Sequence, residues 1–340
     1  MKKKILIIIA ALLGVFLIAL GCAAFILFGN NTSISSAAVV VVPHDATHAQ
    51  LMDSLRSKSV LRNEKTFNVT TKAMRFKTVR VGKYTIEPGM SNYNLVRLLR
   101  AGQHYPVRFA FNNVRTVDQL VEKVGNRFFF NPDELSTLVH DSAFLSKYNL
   151  TEATCPAIFI PNSYDIYYDI TAKEFFDKMY ALYQQFWNKQ RLEQAQSIGL
   201  TPIEVATLAS IVEEENFRAA EKAIIAGLYI NRLHKGMLLQ SDPTVKFAIG
   251  EFTRKRILNA DLQTDSPYNT YKYPGLPPGP IRIPEASTLD SVLHYRHHDY
   301  IYMCAKEDLS GYHNFTSSAA VHAQNAARYR AALNRQHIKR

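Results

Sequence analysis

The sequence predicts an α+β protein with a single N-terminal transmembrane helix, a small βααβ module and then a larger mixed α/β domain. Residues 5–28 carry no charged side chain, which is typical of a membrane span. From residue 37 onward, short apolar runs typical of strands lie between longer runs with helical periodicity. The 340 residues are 47% hydrophobic and 20% charged, which indicates globular units large enough for more than one core.

The N-terminus predicts a membrane anchor. Lys2, Lys3 and Lys4 precede an apolar run that, at about 1.5 Å per residue, can cross the roughly 30 Å hydrocarbon core of a bilayer. Because no basic cluster follows the run, we expect residues 1–4 in the cytoplasm and everything after residue 28 outside it. The alternative is a cleaved signal peptide, whose apolar region would span about 7–15 residues. The greater length of this run favours an uncleaved, single-pass span.

The net charge of +11 limits the class of partner. Three of the positive charges belong to the N-terminal lysines, so the exported part is itself basic. A basic domain outside the cytoplasm suits anionic phospholipid headgroups or an acidic cell-wall polymer. Nucleic acid is excluded as a partner because the anchor places the domain on the other side of the membrane. Cys155 and Cys304 lie far apart in the sequence, and we expect buried small hydrophobes rather than a disulfide or a metal site.

The first half predicts a small module over residues 37–104, joined to the span by a polar linker at 29–36. A strand at AAVVVVP is followed by a helix with Thr47 as its N-cap, a second helix near residues 61–74 and a strand at 81–86. The turn EPGM closes that last strand. This strand–helix–helix–strand order is that of small, wall-binding LysM-type modules, although many other α+β domains share it.

The remaining elements belong to a larger domain, predicted over residues 105–340. Before it, Ser91 is expected to cap a helix that ends at Gly102. Further elements are then expected in chain order: a strand at 107–111, a helix opened by a capping box at Thr116, an amphipathic helix at 174–187, strands at 300–305 and 313–315, and a C-terminal helix from about Ser318.

One helix start is unusually clear and fixes the direction of three consecutive glutamates. Thr201 as N-cap, followed by proline and then Glu204, opens a helix that reaches LASIVEEEN. At about 100° per residue, Glu215 falls inside an apolar stripe. Glu214 points roughly the opposite way, near Thr207 and Ser210, and Glu213 lies at the rim. The stripe itself comprises Val205, Leu208, Ala209 and Val212.

Two interpretations of an inward Glu215 stay open from the helix alone. It is either a structural ion-pair partner of an arginine or lysine, or a carboxylic acid whose pKa is raised by desolvation for general acid catalysis. No phosphate-binding, zinc-protease or serine-hydrolase motif accompanies it. The histidines at 294, 297 and 298 lack matching acidic or cysteine spacing, so we expect no metal and no cofactor. Asp242, Asp261 and Asp265 are candidate second carboxylates or turn-capping residues.

The second half of the sequence resembles the YceG-like (MltG) family of endolytic murein transglycosylases. The matching stretches are LASIVEEEN, LYINRLHKGMLLQSDPTV, YNTYKYPGLPPGPI and the closing YIYMCA with YHNF. They follow the order and approximate spacing of that family and cover most of the chain from Leu208 onward. VGKYTIEPGM and FIPNSYDIYY fit more loosely in the first half.

The resemblance implies a lyase and a set of site residues. The catalytic acid of the family is the last glutamate of its ASIVExE motif, which falls on Glu215. The implied reaction cleaves the MurNAc–GlcNAc β-1,4 bond in nascent glycan strands, leaves 1,6-anhydro ends and terminates strand elongation. Tyr271, like Tyr268, is expected to offer a sugar-stacking face. The residues implied to bind substrate are Gln240, Asp242, Tyr268, Asn269 and Thr270.

In the implied mechanism a single carboxyl group serves both proton transfers. Glu215 protonates the leaving oxygen and then, as a carboxylate, takes the proton of the muramyl C6 hydroxyl, which attacks C1 of the same sugar. The nucleophile is intramolecular, so its positioning entropy is already lost before reaction. Two departures from the family are visible: Ser241 replaces a common threonine, and Ala323 follows His322 where an asparagine is frequent.

The implied location is the cell (inner) membrane, single-pass, with the catalytic domain on the extracytoplasmic or periplasmic face. The implied partners are peptidoglycan glycan strands and peptidoglycan synthases. One rival is a non-catalytic wall-binding or scaffold protein. Another is a pyridoxal-phosphate lyase of folate biosynthesis, which needs a Schiff-base lysine and a cytoplasmic cofactor supply. An exported domain disfavours the lyase, and an intact ExE motif disfavours the scaffold.

Overall fold

A computed structural model describes residues 2–42, 46–77, 79–101, 106–216, 218–252 and 257–335. The chain divides into two compact units, and its mixture of helices and strands agrees with the predicted class. The first unit comprises Met1–Arg108, Asn126–Phe130 and Asp165–Thr171. The second comprises Phe109–Gly125, Asn131–Tyr164 and Ala172–Arg340.

The first unit contains one long helix and the predicted strand–helix–helix–strand arrangement. Thr47 caps the first short helix through a capping box, as its sequence predicts. Ser91 likewise accepts a hydrogen bond from the Asn94 amide. The predicted stop at Gly102 lies outside the described residues. The elements are α1 (Lys2–Phe28), β1 (Ala38–Val42), α2 (His48–Ser57), α3 (Glu64–Ala73), β2 (Gly82–Ile86) and α4 (Asn92–Ala101).

Strands β1 and β2 pair antiparallel and bury one face. The register runs from Ala38 opposite Ile86 to Val42 opposite Gly82. Val40, Val42, Tyr84 and Ile86 are fully or almost fully buried, whereas the intervening valines of β1 are exposed. This two-residue period means that one face of the strand pair packs on α2, α3 and α4.

Helix α1 is the predicted span. It is 27 residues long, and the segment Lys3–Phe28 is long and apolar enough to cross a membrane. Its apolar side chains are exposed along its length, as a lipid-facing helix requires. At its C-terminal end, the Asn92 amide donates to the Ile26 carbonyl at 2.8 Å, and the Phe28 and Tyr93 rings lie 5.2 Å apart.

Two residues of the polar segment expected to be a linker are packed against the first unit. Asn31 and Thr32 are almost completely buried. The side-chain amide of Asn31 donates to the Asn92 side chain at 2.6 Å and to the Asn63 backbone carbonyl at 2.9 Å. Its side-chain oxygen accepts from the backbone amide of Asn63 at 2.8 Å. Composition predicts a tether here, because it does not reveal the buried side-chain hydrogen bonds of Asn31 and Thr32.

The second unit is mostly helical around a separate core. Strand β3 pairs with β4, and β5 pairs antiparallel with β6. The elements are β3 (Pro106–Phe111), α5 (Val117–Val124), α6 (Pro132–His140), α7 (Ser142–Leu145), β4 (Asn162–Tyr167), α8 (Ala172–Phe186), α9 (Lys189–Ile198), α10 (Pro202–Glu215), α11 (Ala219–His234), α12 (Asp242–Ile249), α13 (Ala286–Leu293), β5 (Tyr302–Ala305), β6 (His313–Thr316) and α14 (Ala319–Arg335).

Helix α10 lies at the centre of this core. Thr201 forms the predicted capping box with Glu204, and Pro202 occupies the first turn. All eight residues from Val205 to Val212 are buried, including Thr207 and Ser210. The single apolar stripe expected from the sequence is therefore wrong in one respect: α10 is covered on every side, by α9, α11, α12 and α13.

We expect the buried Asn31 to stabilise the first unit. Asn31→Ala removes three hydrogen bonds and leaves buried amide and carbonyl groups unpaired, which should cost about 2–3 kcal/mol. Hydrogen exchange of the full chain in detergent, read at the β1 and α4 amides, measures this loss. Asn94→Ala, at an exposed site of the same region, is the matched control. Equal protection in the two variants would contradict the structural role of Asn31.

Candidate active site

Three neighbouring glutamates end α10, and the structure gives them different surroundings. Glu213 and Glu214 are both largely shielded, with side chains 7% and 14% exposed. Glu215 lines an open cavity of about 350 Å³. Glu213 and Glu214 therefore face mainly protein atoms, whereas Glu215 faces an open cavity.

Glu213 and Glu214 are neutralised by basic side chains. Arg282 contacts both, with its Nε 3.2 Å from Glu213 and its Nη1 2.6 Å from Glu214. Arg115 lies 2.8 Å from Glu214, and the Thr288 hydroxyl donates to Glu213 at 2.7 Å. Glu214 does point away from the Glu215 side, as the helix phase indicates, but it points at two arginines.

Glu215 is held by hydroxyl groups. Its Oε1 accepts a hydrogen bond from the Tyr229 hydroxyl at 2.6 Å and from the Ser241 hydroxyl at 2.5 Å. Within the described residues, no lysine or arginine nitrogen lies within 4 Å of its carboxylate. Tyr229 lies on α11 and Ser241 directly precedes α12, so three segments converge on one carboxyl group.

The surroundings favour the protonated form of Glu215. Burial is the largest influence and raises its pKa, and the nearby Asp242 carboxylate acts in the same direction. Hydrogen bonds from Ser241 and Tyr229 act the other way, as does His313 when its imidazole is protonated, but the net direction is upward. A carboxyl group with a raised pKa suits general acid catalysis.

The loop before α12 fixes the hydroxyl that contacts Glu215. Ser241 is fully buried, and its amide donates to the Thr270 hydroxyl at 3.0 Å. The Thr244 hydroxyl donates to the Ser241 carbonyl at 2.7 Å and lies 2.8 Å from the Thr270 hydroxyl. Gln240 adopts φ of 51°, a left-handed conformation that is uncommon for a residue other than glycine. The network holds this turn, and thereby the Ser241 hydroxyl, in place.

The predicted substrate residues divide into three groups. Gln240 and Asp242 line the Glu215 cavity, together with Tyr271, whose hydroxyl donates to Asp242 at 2.6 Å. Thr270 is buried behind the cavity wall in the network around Ser241. The complete lining is Glu215, Leu228, Tyr229, Arg232, Leu239, Gln240, Asp242, Tyr271, Met303, Cys304, Ala305, His313 and His322.

Asn269 and Tyr268 do not line the Glu215 cavity. Asn269 is fully buried, and its amide donates to the carbonyls of Leu262 and Thr264 at 2.9 and 2.8 Å. Its hydrogen-bonding capacity is therefore used to hold its own loop. Tyr268 lines a separate cavity of about 500 Å³, where its ring lies 4.6 Å from that of Phe247. The positions of these two side chains therefore do not support direct contact with a ligand at Glu215. The conformation of the loop decides where each of them lies.

Three residues of the cavity, and the buried Ser241 that donates to Glu215, escaped the sequence reasoning. Tyr229 and Arg232 lie one turn apart on α11, and only the position of α11 against α10 reveals that Tyr229 reaches Glu215. Arg232 donates to the carbonyls of Leu239 and Ile301 at 2.8 and 2.7 Å and so joins α11 to two cavity loops. His313 lies in the YHNF stretch that carried the family resemblance. Ser241 was noted only as a replacement for threonine.

The comparison with known families decides the relationship. A sequence profile of the YceG-like family matches residues 40–328, most of the chain. The chain belongs to the YceG-like family. The resemblance carried by the four motifs is confirmed, and the match extends through both compact units.

Relatives of this YceG-like chain carry a consistent name. It is 26% identical over 313 residues to the endolytic murein transglycosylase of Bacillus subtilis (strain 168), covering 86% of this chain and 85% of that protein. It is 25% identical over 296 residues to the endolytic murein transglycosylase of Streptococcus pneumoniae serotype 2, covering 78% of this chain and 54% of the longer relative. The crystal structure of a putative YceG-like protein from Listeria monocytogenes has a TM-score of 0.55 at 25% identity, covering 86% of this chain and 99% of that one.

We expect the adjacent glutamates of this YceG-like chain to respond oppositely to loss of charge. Glu214→Gln leaves two arginines poorly compensated and should lower the free energy of unfolding by about 2–3 kcal/mol at pH 7. Glu215→Gln should raise it, because ionising a carboxyl group with a raised pKa costs folding free energy. Urea unfolding of the full chain in detergent, followed by the fluorescence of the single, buried Trp187, measures both changes.

The effect of Glu215→Gln on the free energy of unfolding depends on pH. A raised folded-state pKa means that the folded protein holds its proton more tightly than the unfolded chain, so stability falls as pH rises from about 4.3 through the folded-state value. The gain from Glu215→Gln should therefore vanish near pH 4 and grow toward neutral pH. Glu193→Gln, at an exposed site on α9, is the control and should change little at either pH. Destabilisation by Glu215→Gln at pH 7 would identify an ion-pair role instead.

Proposed function

We propose that this chain is a lytic transglycosylase, a lyase that cleaves the MurNAc–GlcNAc β-1,4 bond within peptidoglycan glycan strands and leaves 1,6-anhydro ends. The observation that carries the proposal is the cavity at Glu215, where a carboxyl group with a raised pKa faces open space between two hydroxyl donors. The name shared by the relatives supports peptidoglycan as the substrate.

Glu215 is the proposed general acid. It donates its proton to the glycosidic oxygen as the C1–O bond breaks, and the C6 hydroxyl of the same muramyl residue attacks C1. The attacking group is part of the substrate, so no activated water is required and its effective concentration is high. Hydrogen bonds from Tyr229 and Ser241 stabilise the carboxylate that forms, since they act on its charged state.

A second candidate function is hydrolysis, which one observation favours. Asp242 lines the same cavity as Glu215, and glycoside hydrolases use a pair of carboxylates. In this case Asp242 would be the nucleophile or would activate water. Its Oδ1 already accepts a hydrogen bond from the Tyr271 hydroxyl, which suits a residue that fixes the cavity wall. The two functions differ in product, because hydrolysis leaves reducing ends and transglycosylation leaves anhydro ends.

Substrate contacts are assigned by position. Gln240, Asp242 and Tyr271 are the proposed direct contacts, since each lines the cavity and carries hydrogen-bonding groups or an aromatic face that suit a sugar. Thr270 and Asn269 are proposed to act through the loops that they hold. This assignment keeps Gln240 and Asp242 as contacts, moves Asn269 and Thr270 to a supporting role and leaves Tyr268 in the separate cavity.

The first unit is proposed to hold the enzyme at the membrane and near its substrate. Helix α1 would anchor the chain with Lys2–Lys4 in the cytoplasm and the second unit on the extracytoplasmic or periplasmic face. The βααβ part, residues 37–104, would act as a LysM-like glycan-binding module. On that face, peptidoglycan synthases that make nascent strands are the proposed partners, and cleavage there would terminate strand elongation.

Glu215→Gln is expected to abolish activity while leaving the protein folded. The variant keeps the shape of the side chain but has no proton to give, and loss of general acid catalysis costs about 10²–10⁴-fold in rate. Digestion of purified glycan strands, followed by mass spectrometry of the new ends, measures both rate and product. Glu193→Gln should behave like the wild type. Anhydro ends formed by Glu215→Gln at the wild-type rate would eliminate this assignment, and reducing ends from the wild type would favour the hydrolase.

The anchor predicts a specific protease pattern. In intact cells stripped of wall, protease added outside should remove the part of the chain beyond residue 29 and spare the N-terminal peptide, because only α1 spans the bilayer. Detection of an N-terminal tag and a C-terminal tag on the full chain reports each side. Protection of the C-terminal tag in sealed cells, with cleavage only after detergent, would contradict the orientation.

The module predicts a difference in binding that is separate from catalysis. A chain starting at Tyr105 should bind purified cell walls more weakly than the full chain, provided that both carry Glu215→Gln so that the wall is not digested. Sedimentation with the walls measures the bound fraction. Equal binding by the two chains would remove the glycan-holding role from residues 37–104.

A further inference from the structure

A buried carboxylate next to the Glu215 cavity contacts a histidine that has no role in the reaction described above. Glu221, in the first turn of α11, is 5% exposed. Its Oε1 accepts a hydrogen bond from the His313 backbone amide at 2.9 Å, and its Oε2 lies 2.8 Å from His313 Nδ1. Both oxygens therefore contact one residue of β6, which fixes the backbone and the ring together.

Asn216 completes the arrangement. Its Oδ1 accepts from the Arg218 amide at 2.8 Å, which turns its Nδ2 toward Glu221, where it donates to Oε2 at 2.6 Å. Three donors thus converge on the Glu221 carboxyl group, the pattern expected of an ionised carboxylate. In the described part of the chain, His313 is the one basic side chain within ion-pairing distance of that carboxylate.

These contacts determine which nitrogen of His313 carries the proton in the neutral ring. An ionised carboxylate only accepts hydrogen bonds, so Nδ1 carries the proton and Nε2 is the basic nitrogen. His313 lines the cavity that contains Glu215, and no residue described in the structure hydrogen-bonds to its Nε2. A base whose other nitrogen is fixed by a buried carboxylate is a recurring arrangement for proton transfer.

We propose that His313 is a second proton-transferring residue of this site and that Glu221 is its positioning residue. Resting on the proposed transglycosylase function, the step is as follows: His313 Nε2 takes the proton of the muramyl C6 hydroxyl as O6 forms its bond to C1. Glu215 gives its proton to the leaving oxygen as the bond from C1 to that oxygen breaks. The imidazolium then returns its proton to the Glu215 carboxylate, which restores both groups.

This division separates two transfers that a single carboxyl group would otherwise perform in turn. Glu215 can then stay protonated until the leaving oxygen needs its proton, which its surroundings favour. Glu221 stabilises the imidazolium that forms on His313, because its negative charge lies 2.8 Å away and is shielded from water. The ionisable groups that surround His313 and bear on any pH profile are Glu215, Glu221, Tyr229, Arg232, Asp242, Tyr271, Cys304 and His322.

The test uses His313→Gln in the full-length enzyme, with glycan strands as substrate from pH 4 to pH 9. The variant is expected to lose about 10²–10⁴-fold in kcat with little change in KM, since a base in the reaction is removed rather than a binding group. The acidic limb of the kcat profile, which reports the group that must be unprotonated, should disappear. His234→Gln, at an exposed site in the last turn of α11, is the matched control and should keep both rate and profile.

Glu221 variants separate positioning from structure. Glu221→Gln removes the negative charge that stabilises the imidazolium, so the acidic limb should move to lower pH while kcat falls, and Glu221→Asp should restore part of the rate. If the role of Glu221 is purely structural, Glu221→Gln will change the stability of the protein and leave the midpoint of the acidic limb unchanged. His313→Gln with wild-type kcat and an unchanged acidic limb would overturn the proposal.

The wild type keeps the proposal testable if His313→Gln does not fold. The acidic limb of wild-type kcat should shift with temperature as an imidazole does, and a carboxylate-like insensitivity, or the absence of an acidic limb, would contradict the role of His313. A failure of the proposed role of His313 is distinguishable from a failure of the proposed function. If Glu215→Gln is inactive and the wild type makes anhydro ends while His313→Gln stays active, only the second proton-transferring residue is lost.

Discussion

A carboxyl group surrounded by protein but paired with hydroxyls rather than cations is the constraint on which this structure depends. Glu215 ends a helix that is buried on every side, and the two glutamates before it take the nearby arginines. Burying a carboxylate without a cation is costly, so the group responds by holding its proton. Glu213 and Glu214 differ from Glu215 in this respect, because both are paired with Arg282.

The fold supplies the two hydroxyls from different segments. Tyr229 comes from α11, which packs on α10, and Ser241 comes from a turn that Thr270 and Thr244 hold. Arg232 joins α11 to the loops around Leu239 and Ile301. Because each support contacts the next, a change well behind the cavity wall can displace the Ser241 hydroxyl. The same packing places His313 and Glu221 beside the site, where one buried carboxylate orients one ring.

The sequence predicts local features of this site better than its distant contacts. Thr201 and Pro202 define the start of α10, and three glutamates at its end could be singled out from helical phase and from the family motif. The phase argument was incomplete, because it assumed one buried stripe where α10 is buried all round. Arg115 lies 99 residues from Glu214 in sequence and Arg282 lies 68 residues from it, and no local pattern links such pairs. Loop geometry likewise decides that Tyr271 lines the cavity while Tyr268 does not.

The central claim concerns the protonation of one carboxyl group, and it can be measured directly. Infrared difference spectra between the wild type and Glu215→Gln isolate the carboxyl band of Glu215 across a pH titration of the full-length protein. The account predicts a protonated-carboxyl band that persists above the ordinary glutamate pKa of about 4.3 and a midpoint clearly higher than that value. A midpoint at or below the ordinary value would contradict the account, because the carboxyl group would then be ionised and unable to act as the acid near neutral pH.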